Sequence, residues 1–353
     1  MDAQKQRGRE DLSNSGSKKM TTKPTNKPDT TTTLDLAKKK IDELPFSEST
    51  KKEILKSFHL RQNTFSNEIL FYNEPFTPIS ITGTDCELNC KHCEKHYLKH
   101  MIDGSCGKLR TAVESLARRG RKGILLSGGS RLDGSVPTYE FSDEIRQIKD
   151  RARLLISAHT GIVDRKQANS LAAWLDMALV DCIGSDRTIS EILGLPNTVS
   201  DYENTLKYLT EANIPIAPHI IVGLGSGALD GELRALEIVR RYDPAAVVIV
   251  VFIPTRGTVC ADAPYPAFED VSSVIAKARQ IFPQTPLSLS CVRPGGRYRS
   301  RLDRCAILAG IDRIAVPSRS AYQLCGEIGL AIREVGNMCC SYSEWSESEW
   351  SEG

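Results

Sequence analysis

A (β/α)₈ barrel of the TIM type, with disordered polar termini, is the fold this sequence predicts, on three observations. Short apolar runs alternate with longer amphipathic segments from Pro78 onward. The runs have the length of strands buried on both faces. Eight such units in roughly 240 residues match a barrel whose usual size is ~250 residues. A partial (β/α)₆ barrel is the alternative if the last two runs are not strands.

The elements follow in chain order. Residues 1–33 are rich in Lys, Thr, Ser, Gln and Asn with almost no large apolar side chain, and are expected to be disordered. Residues 34–76 read as a helical lead-in, because Leu34, Leu36, Ile41 and Leu44, then Ile54, Leu55 and Phe58, are spaced as an apolar stripe. The barrel is expected over 77–320, with strands at 78–82, 123–127, 154–158, 177–183, 215–222, 246–253, 287–292 and 313–316. Intervals such as 111–119 and 232–241 suit crossover helices. A last helix over 322–335 and a Cys339-Cys340 segment complete residues 321–340. Residues 341–353, with their tandem SEWSE repeat, read as a low-complexity acidic tail.

Composition excludes several function classes. The 353 residues carry 46 basic and 44 acidic side chains, a net charge of +2 that points to neither nucleic acid nor a membrane surface. No apolar run approaches the 18 or so residues that cross a bilayer. The N-terminus lacks the apolar stretch of a secretory signal. Eleven cysteines are therefore expected to be thiols and metal ligands in a reducing cytoplasmic compartment rather than a disulfide framework.

The strand ends carry the chemistry. In a barrel, the C-terminal ends of the strands build the active site. The first predicted tip holds Cys86, Cys90 and Cys93 in a CxxxCxxC spacing. Three thiolates can hold three irons of a [4Fe–4S] cube and leave the fourth open to a ligand that is not protein. A zinc site using these cysteines with His92, His96 or His100 is the bland alternative. Later tips carry Gly128-Gly129-Ser130, His159-Thr160-Gly161, Asp181-Cys182, Gly223 to Gly227, 254–258, Cys291 to Gly296 and Pro317-Ser318-Arg319. Arg256 and Arg293 are candidates for holding a carboxylate or phosphate, or are solvated rim arginines. His159 is a candidate for ribose or substrate contact, or a satisfied structural group. Cys291, Cys339 and Cys340 are candidates for an auxiliary cluster, with Cys182 or Cys305 as further ligands. Cys106, Cys260 and Cys325 read as small buried hydrophobes.

The cysteine loop resembles that of the radical S-adenosylmethionine (radical SAM) enzymes. Ser80-Ile81-Thr82-Gly83, Cys90-Lys91-His92-Cys93, Leu126 to Ser130, Ala158 to Gly161, Pro218 to Leu224, the 254–258 segment, Cys291 to Pro294 and Cys339-Cys340 resemble a biotin-synthase-related archaeal and bacterial group of that superfamily. That group includes the subunits of the two-component lipoyl synthase. The resemblance implies a [4Fe–4S] cluster on Cys86, Cys90 and Cys93, and S-adenosylmethionine chelating its open iron through its amine and carboxylate. It implies that Gly128, Gly129 and Ser130 hold the methionyl amine through backbone carbonyls, Ser130 standing where an acid is usual. It further implies that His219, Val222 and Gly223 flank the adenine. The implied reaction generates a 5′-deoxyadenosyl radical and inserts sulfur from an auxiliary cluster into an octanoyl chain on a lipoyl carrier protein. A second radical SAM subunit and an electron donor such as ferredoxin or flavodoxin are the implied partners. The chain departs from the group at Glu94-Lys95-His96, where a small or glycine-containing stretch is expected. Another radical SAM reaction, biotin-like or a lyase, and a non-catalytic iron–sulfur scaffold or electron carrier are the rival readings.

Overall fold

A computed structural model describes residues 30–343. The expectations for residues 1–29 and for most of the acidic tail lie outside the described residues. The strands are β1 (Glu68–Tyr72), β2 (Thr77–Ser80), β3 (Ile102–Asp103), β4 (Gly123–Ser127), β5 (Leu155–His159) and β6 (Met177–Asp181). They continue with β7 (Ile216–Val222), β8 (Val247–Val251), β9 (Leu287–Leu289), β10 (Arg313–Ala315) and β11 (Ala331–Val335). Among the described residues they form one sheet in the order β11-β1-β10-β9-β8-β7-β6-β5-β4-β2-β3. Every pairing is parallel.

The eight predicted runs are all strands, β2 and β4 to β10, each beside the next in the ladder. The six-unit alternative is thereby set aside, since β9 and β10 pair with each other and with both neighbours. The sheet curls on itself. β10 pairs with β1, β1 runs through residues 73–76 into β2, and β2 pairs with β4. Tyr72, Phe76, Leu155 and Ala315, from opposite arms of the sheet, meet in one apolar cluster.

Side-chain alternation separates two layers, because successive residues of a strand face opposite sides. On β7, Ile216, Ile220 and Val222 join the outer core under the helices. Ala217 and Ile221 face inward with Met177, Leu179, Val248 and Val250. β8 is buried throughout, as a strand covered on both faces must be. At the base, Asp312 joins two buried arginines. It lies 3.4 Å from Arg61 Nε, pairs with Arg279 Nη2, and accepts the Leu287 N–H at 2.8 Å.

Three expectations are corrected. Residues 30–33 belong to the helix Thr30–Asp42, where Thr33 is buried and accepts from Asn67 Nδ2 at 3.2 Å. The helical lead-in contains a strand, β1, whose apolar run Ile69-Leu70-Phe71-Tyr72 is paired on both edges. The last helix is Arg319–Ile328 and stops at Gly329, whose left-handed φ of 70° ends it. Residues 331–335 are an edge strand, largely exposed, in which Ile332 and Val335 imitate helical spacing.

The chain after β11 does not swing free. Asn337 bonds Lys122 N at 3.2 Å and Gly120 O at 2.8 Å, just ahead of β4. Cys340 O accepts from Ser288 Oγ at 2.7 Å and Arg313 Nη1 at 3.1 Å. The Tyr342 hydroxyl meets Ser157 Oγ at 3.1 Å, and its carbonyl accepts from Tyr72 at 2.7 Å. Residues 336–343 thus form a strap that fills the barrel from the N-terminal ends of its strands.

Candidate metal centre and cofactor site

The cysteine loop follows β2 and is braced by three neighbours. From the β4 tip, Ser130 N donates to Cys86 Sγ at 3.3 Å, and Ser130 O accepts from Glu87 N at 2.9 Å. Glu87 Oε2 in turn accepts from Leu132 N at 2.9 Å. From the single π-turn Ile189–Leu193 after β6, Ile192 O accepts from Lys91 N at 2.8 Å, and Leu193 O from the Cys90 thiol at 3.3 Å. From the β8 tip, Cys260 N donates to Lys91 O at 3.1 Å.

Gly129 is required by this packing. A Cβ there would stand 1.9 Å from Asp85 O and 2.5 Å from Cys86 Cα, so no larger residue fits without moving the loop. Gly129 therefore lies directly against Cys86, Gly128 packs on Ile81 and Thr82 just ahead of the loop, and Ser130 contributes backbone to the loop.

Cys90, His92 and Cys93 bring ligand atoms within 4.8 Å of one another. Cys86 stands beside them, close enough to act electrostatically on Cys90. The Cys90 and Cys93 sulfurs lie close together, and their interaction raises Cys90 and lowers Cys93 from the usual thiol range; burial adds to the first shift and opposes the second. His92 further stabilises the Cys93 thiolate, and its Nδ1 has no partner among the described residues. Three half-buried thiols on one loop, one already lowered and one receiving a backbone N–H, are a donor set that fits an iron–sulfur cluster.

The other tips divide. Val222 ends β7, buried, and Gly223 follows with φ of 82°. Glu232 holds that turn by accepting Gly223 N at 2.8 Å and Asp230 N at 2.6 Å; burial raises its carboxyl. Asp230 Oδ2 ties the β7 tip to the β6 tip through Ser185 at 2.6 Å and Thr188 at 2.7 Å. These two acids were not singled out from the sequence, although an Asp-x-Glu directly after a glycine-rich tip is a visible signal. His219 lies three residues below Val222 on the lumen side, its ring 5.5 Å from that of His159. Burial lowers His219 to about 4, and its Nδ1 has no partner among the described residues.

Two arginine and two cysteine candidates leave the site. Arg293 is enclosed, bonded to Asp303 through Nε at 2.9 Å and Nη2 at 3.2 Å, and to Ala315 O at 2.8 Å, so it holds strand ends together. Arg256 is exposed. Cys182 packs into the outer core, and Cys305 lies within the helix Gly296–Leu308; burial pushes their thiols up to about 12 and about 11. Cys291, exposed at the β9 tip, is near enough to Cys339 for the latter to raise its thiol beyond the effect of burial. The adjacent thiols of Cys339 and Cys340 interact, which lowers Cys339 and raises Cys340. Their position on a packed strap, not a swinging terminus, is what brings them to the lumen.

Comparison with known proteins names the domain. The radical SAM superfamily model matches residues 80–230, the stretch from the end of β2 past the β7 tip. Residues 80–230 are a radical SAM domain. The chain is related to the biotin synthases at low identity. That of Paramagnetospirillum magneticum is 26% identical over 243 residues, covering 67% of this chain and 73% of the relative. That of Acinetobacter baumannii is 28% identical over 233 residues, covering 62% and 68%. Among solved structures, methylornithine synthase superposes with a TM-score of 0.59 at 14% identity, over 86% of this chain and 97% of that one. The FeFe-hydrogenase maturase HydG from Carboxydothermus hydrogenoformans gives 0.58 at 17%, over 80% and 66%. These likenesses show the barrel fold. The radical SAM family implies a [4Fe–4S] cluster, S-adenosylmethionine and an electron donor. Among the described residues, no helix is long and apolar enough to cross a membrane.

Proposed function

We propose that this radical SAM enzyme holds its [4Fe–4S] cluster on Cys86, Cys90 and Cys93 and inserts sulfur at an unactivated carbon. The bracing of the cysteine loop against Gly129, with Cys86 Sγ receiving the Ser130 N–H at 3.3 Å, carries the first part. When bound, the cluster supplies the electron that splits the sulfonium of S-adenosylmethionine. Gly128, Gly129 and Ser130 hold the methionyl end. Val222 and Gly223 flank the adenine, with Glu232 fixing that turn. His159 and His219 line the lumen beside them.

The sulfur source we assign to a second cluster on Cys291, Cys339 and Cys340. Arg313 supports this reading. That guanidinium is buried, near Cys339, and bonded to Cys340 O and Ser343 with no carboxylate partner among the described residues. A buried cation needs negative charge, which thiolates supply. The octanoyl chain of a lipoyl carrier protein, processed with a second radical SAM subunit, is the substrate we assign; ferredoxin or flavodoxin is the electron donor. A biotin-like sulfur insertion is the second reading, favoured by the biotin synthases among the relatives.

Iron and sulfide analysis of anaerobically reconstituted protein tests both parts. Replacing Cys86, Cys90 and Cys93 by Ala is expected to abolish 5′-deoxyadenosine formation. Replacing Cys291, Cys339 and Cys340 by Ser is expected to remove about four of about eight irons while 5′-deoxyadenosine formation persists. Zinc in place of iron would instead assign Cys90, His92 and Cys93 to a Cys₂His site.

A further inference from the structure

The residues after Cys93 depart from what the family resemblance leads one to expect, and the structure gives the departure a physical role. Glu94 and Lys95 both have left-handed backbone, with φ of 39° and 67°. That region is unfavourable for residues with a Cβ and is where glycine is at ease. Glu94 therefore occupies a costly backbone position, and something must compensate.

The compensation is a contact across the barrel mouth. Glu94 Oε1 accepts the Val259 N–H at 2.7 Å. The next amide, Cys260 N, donates to Lys91 O at 3.1 Å. Tyr97 Oη meets Thr255 Oγ1 at 3.3 Å, and Gly257 lies against His96, where a Cβ would come within 3.3 Å of Nε2. The Val259 side chain is 70% exposed and so does not anchor the segment itself. Its backbone is held by the glutamate.

We propose that Glu94 is a positioning residue, a latch that fastens residues 255–260 over the flank of the cysteine loop. Its carboxylate replaces the freedom of a glycine with a bond to Val259, orders the loop beyond Cys93, and shields that side of the thiols from solvent. The shielding role rests on the assignment of Cys86, Cys90 and Cys93 as cluster ligands; the latch itself does not.

Two measurements separate these. Hydrogen exchange of residues 255–260 in metal-free protein reads the latch alone. Glu94→Ala and Glu94→Gly are expected to raise exchange there at least several-fold, and Glu94→Gly relieves the backbone strain, so faster exchange in it is not a failure to fold. Glu94→Gln keeps an acceptor oxygen and is expected to restore the parental rate. Parental exchange in both Ala and Gly variants would overturn the latch. In reconstituted protein, the rate at which a chelator or air bleaches the cluster absorbance is expected to rise several-fold in the same two variants and not in Glu94→Gln. Faster exchange without faster bleaching would overturn the shielding role and leave the latch standing. Failure of the parent to bind iron would defeat the cluster assignment while the exchange result still decides the latch.

Discussion

Gly129 shows how much a single missing side chain permits. A Cβ forced to within 1.9 Å of Asp85 O must displace the cysteine loop, an overpacking that costs about 1–3 kcal/mol where the surroundings yield. Gly129→Ala is therefore expected to lower the iron bound per chain on reconstitution while circular dichroism stays parental. His219 makes a different kind of prediction. Burial holds its folded pKa at about 4, below its ordinary value of 6.5. The unfolded chain then binds the proton first, so this group favours the folded state above pH 6.5 and costs stability as pH falls toward 4. The loss amounts to roughly 3 kcal/mol at most. Urea titrations across that window should show a shallower acid slope for His219→Asn; an unchanged slope would place the acid sensitivity elsewhere.

At the scale of elements, the strap of residues 336–343 behaves as part of the barrel interior. Tyr342 packs 5.6 Å from the Phe76 ring and touches both inner clusters, while its hydroxyl meets Ser157. Truncating a buried aromatic to Ala costs about 3–5 kcal/mol, and losing one hydrogen bond about 0.5–1.5 kcal/mol. Tyr342→Ala should accordingly lower Tm by many degrees and Tyr342→Phe by only a few, with thermal unfolding as the measurement. Equal and small effects would mean the strap is not integral to the fold. The π-turn Ile189–Leu193 is a second element whose role is positional. Its last two carbonyls, Ile192 O and Leu193 O, have no partner within the turn, as at any helix C-terminus, and are satisfied by Lys91 N and the Cys90 thiol.

Across the whole molecule, the barrel depends on charges buried at its base. Asp312 answers two guanidinium groups, Arg61 on the helix Glu48–Thr64 and Arg279 on the helix Phe268–Ile281, and also accepts the first amide of β9. Breaking a buried pair from one side costs about 3–5 kcal/mol because the partner charge is left uncompensated. Asp312→Ala strands two such charges. It should destabilise the protein by at least that amount in urea denaturation, and a loss under about 1 kcal/mol would contradict the network.

Periodicity and composition determined the eight barrel strands from sequence alone, because strands buried on both faces leave continuous apolar runs that local pattern exposes. The CxxxCxxC spacing and the Gly128-Gly129 pair were legible for the same reason: both are local. The interior strand β1 and the edge strand β11 were not, since β1 sits in a segment read as helical and β11 draws its stability from pairing with β1 rather than from its own residues. Arg293 read as a ligand holder and is a buried tie to Asp303, a difference that depends on a residue ten positions away. Glu94 carried no signal beyond its oddity until Val259 was placed against it. What tertiary structure alone decided was which distant backbone groups each polar side chain would meet, because those contacts are made across the barrel and leave no period in the chain.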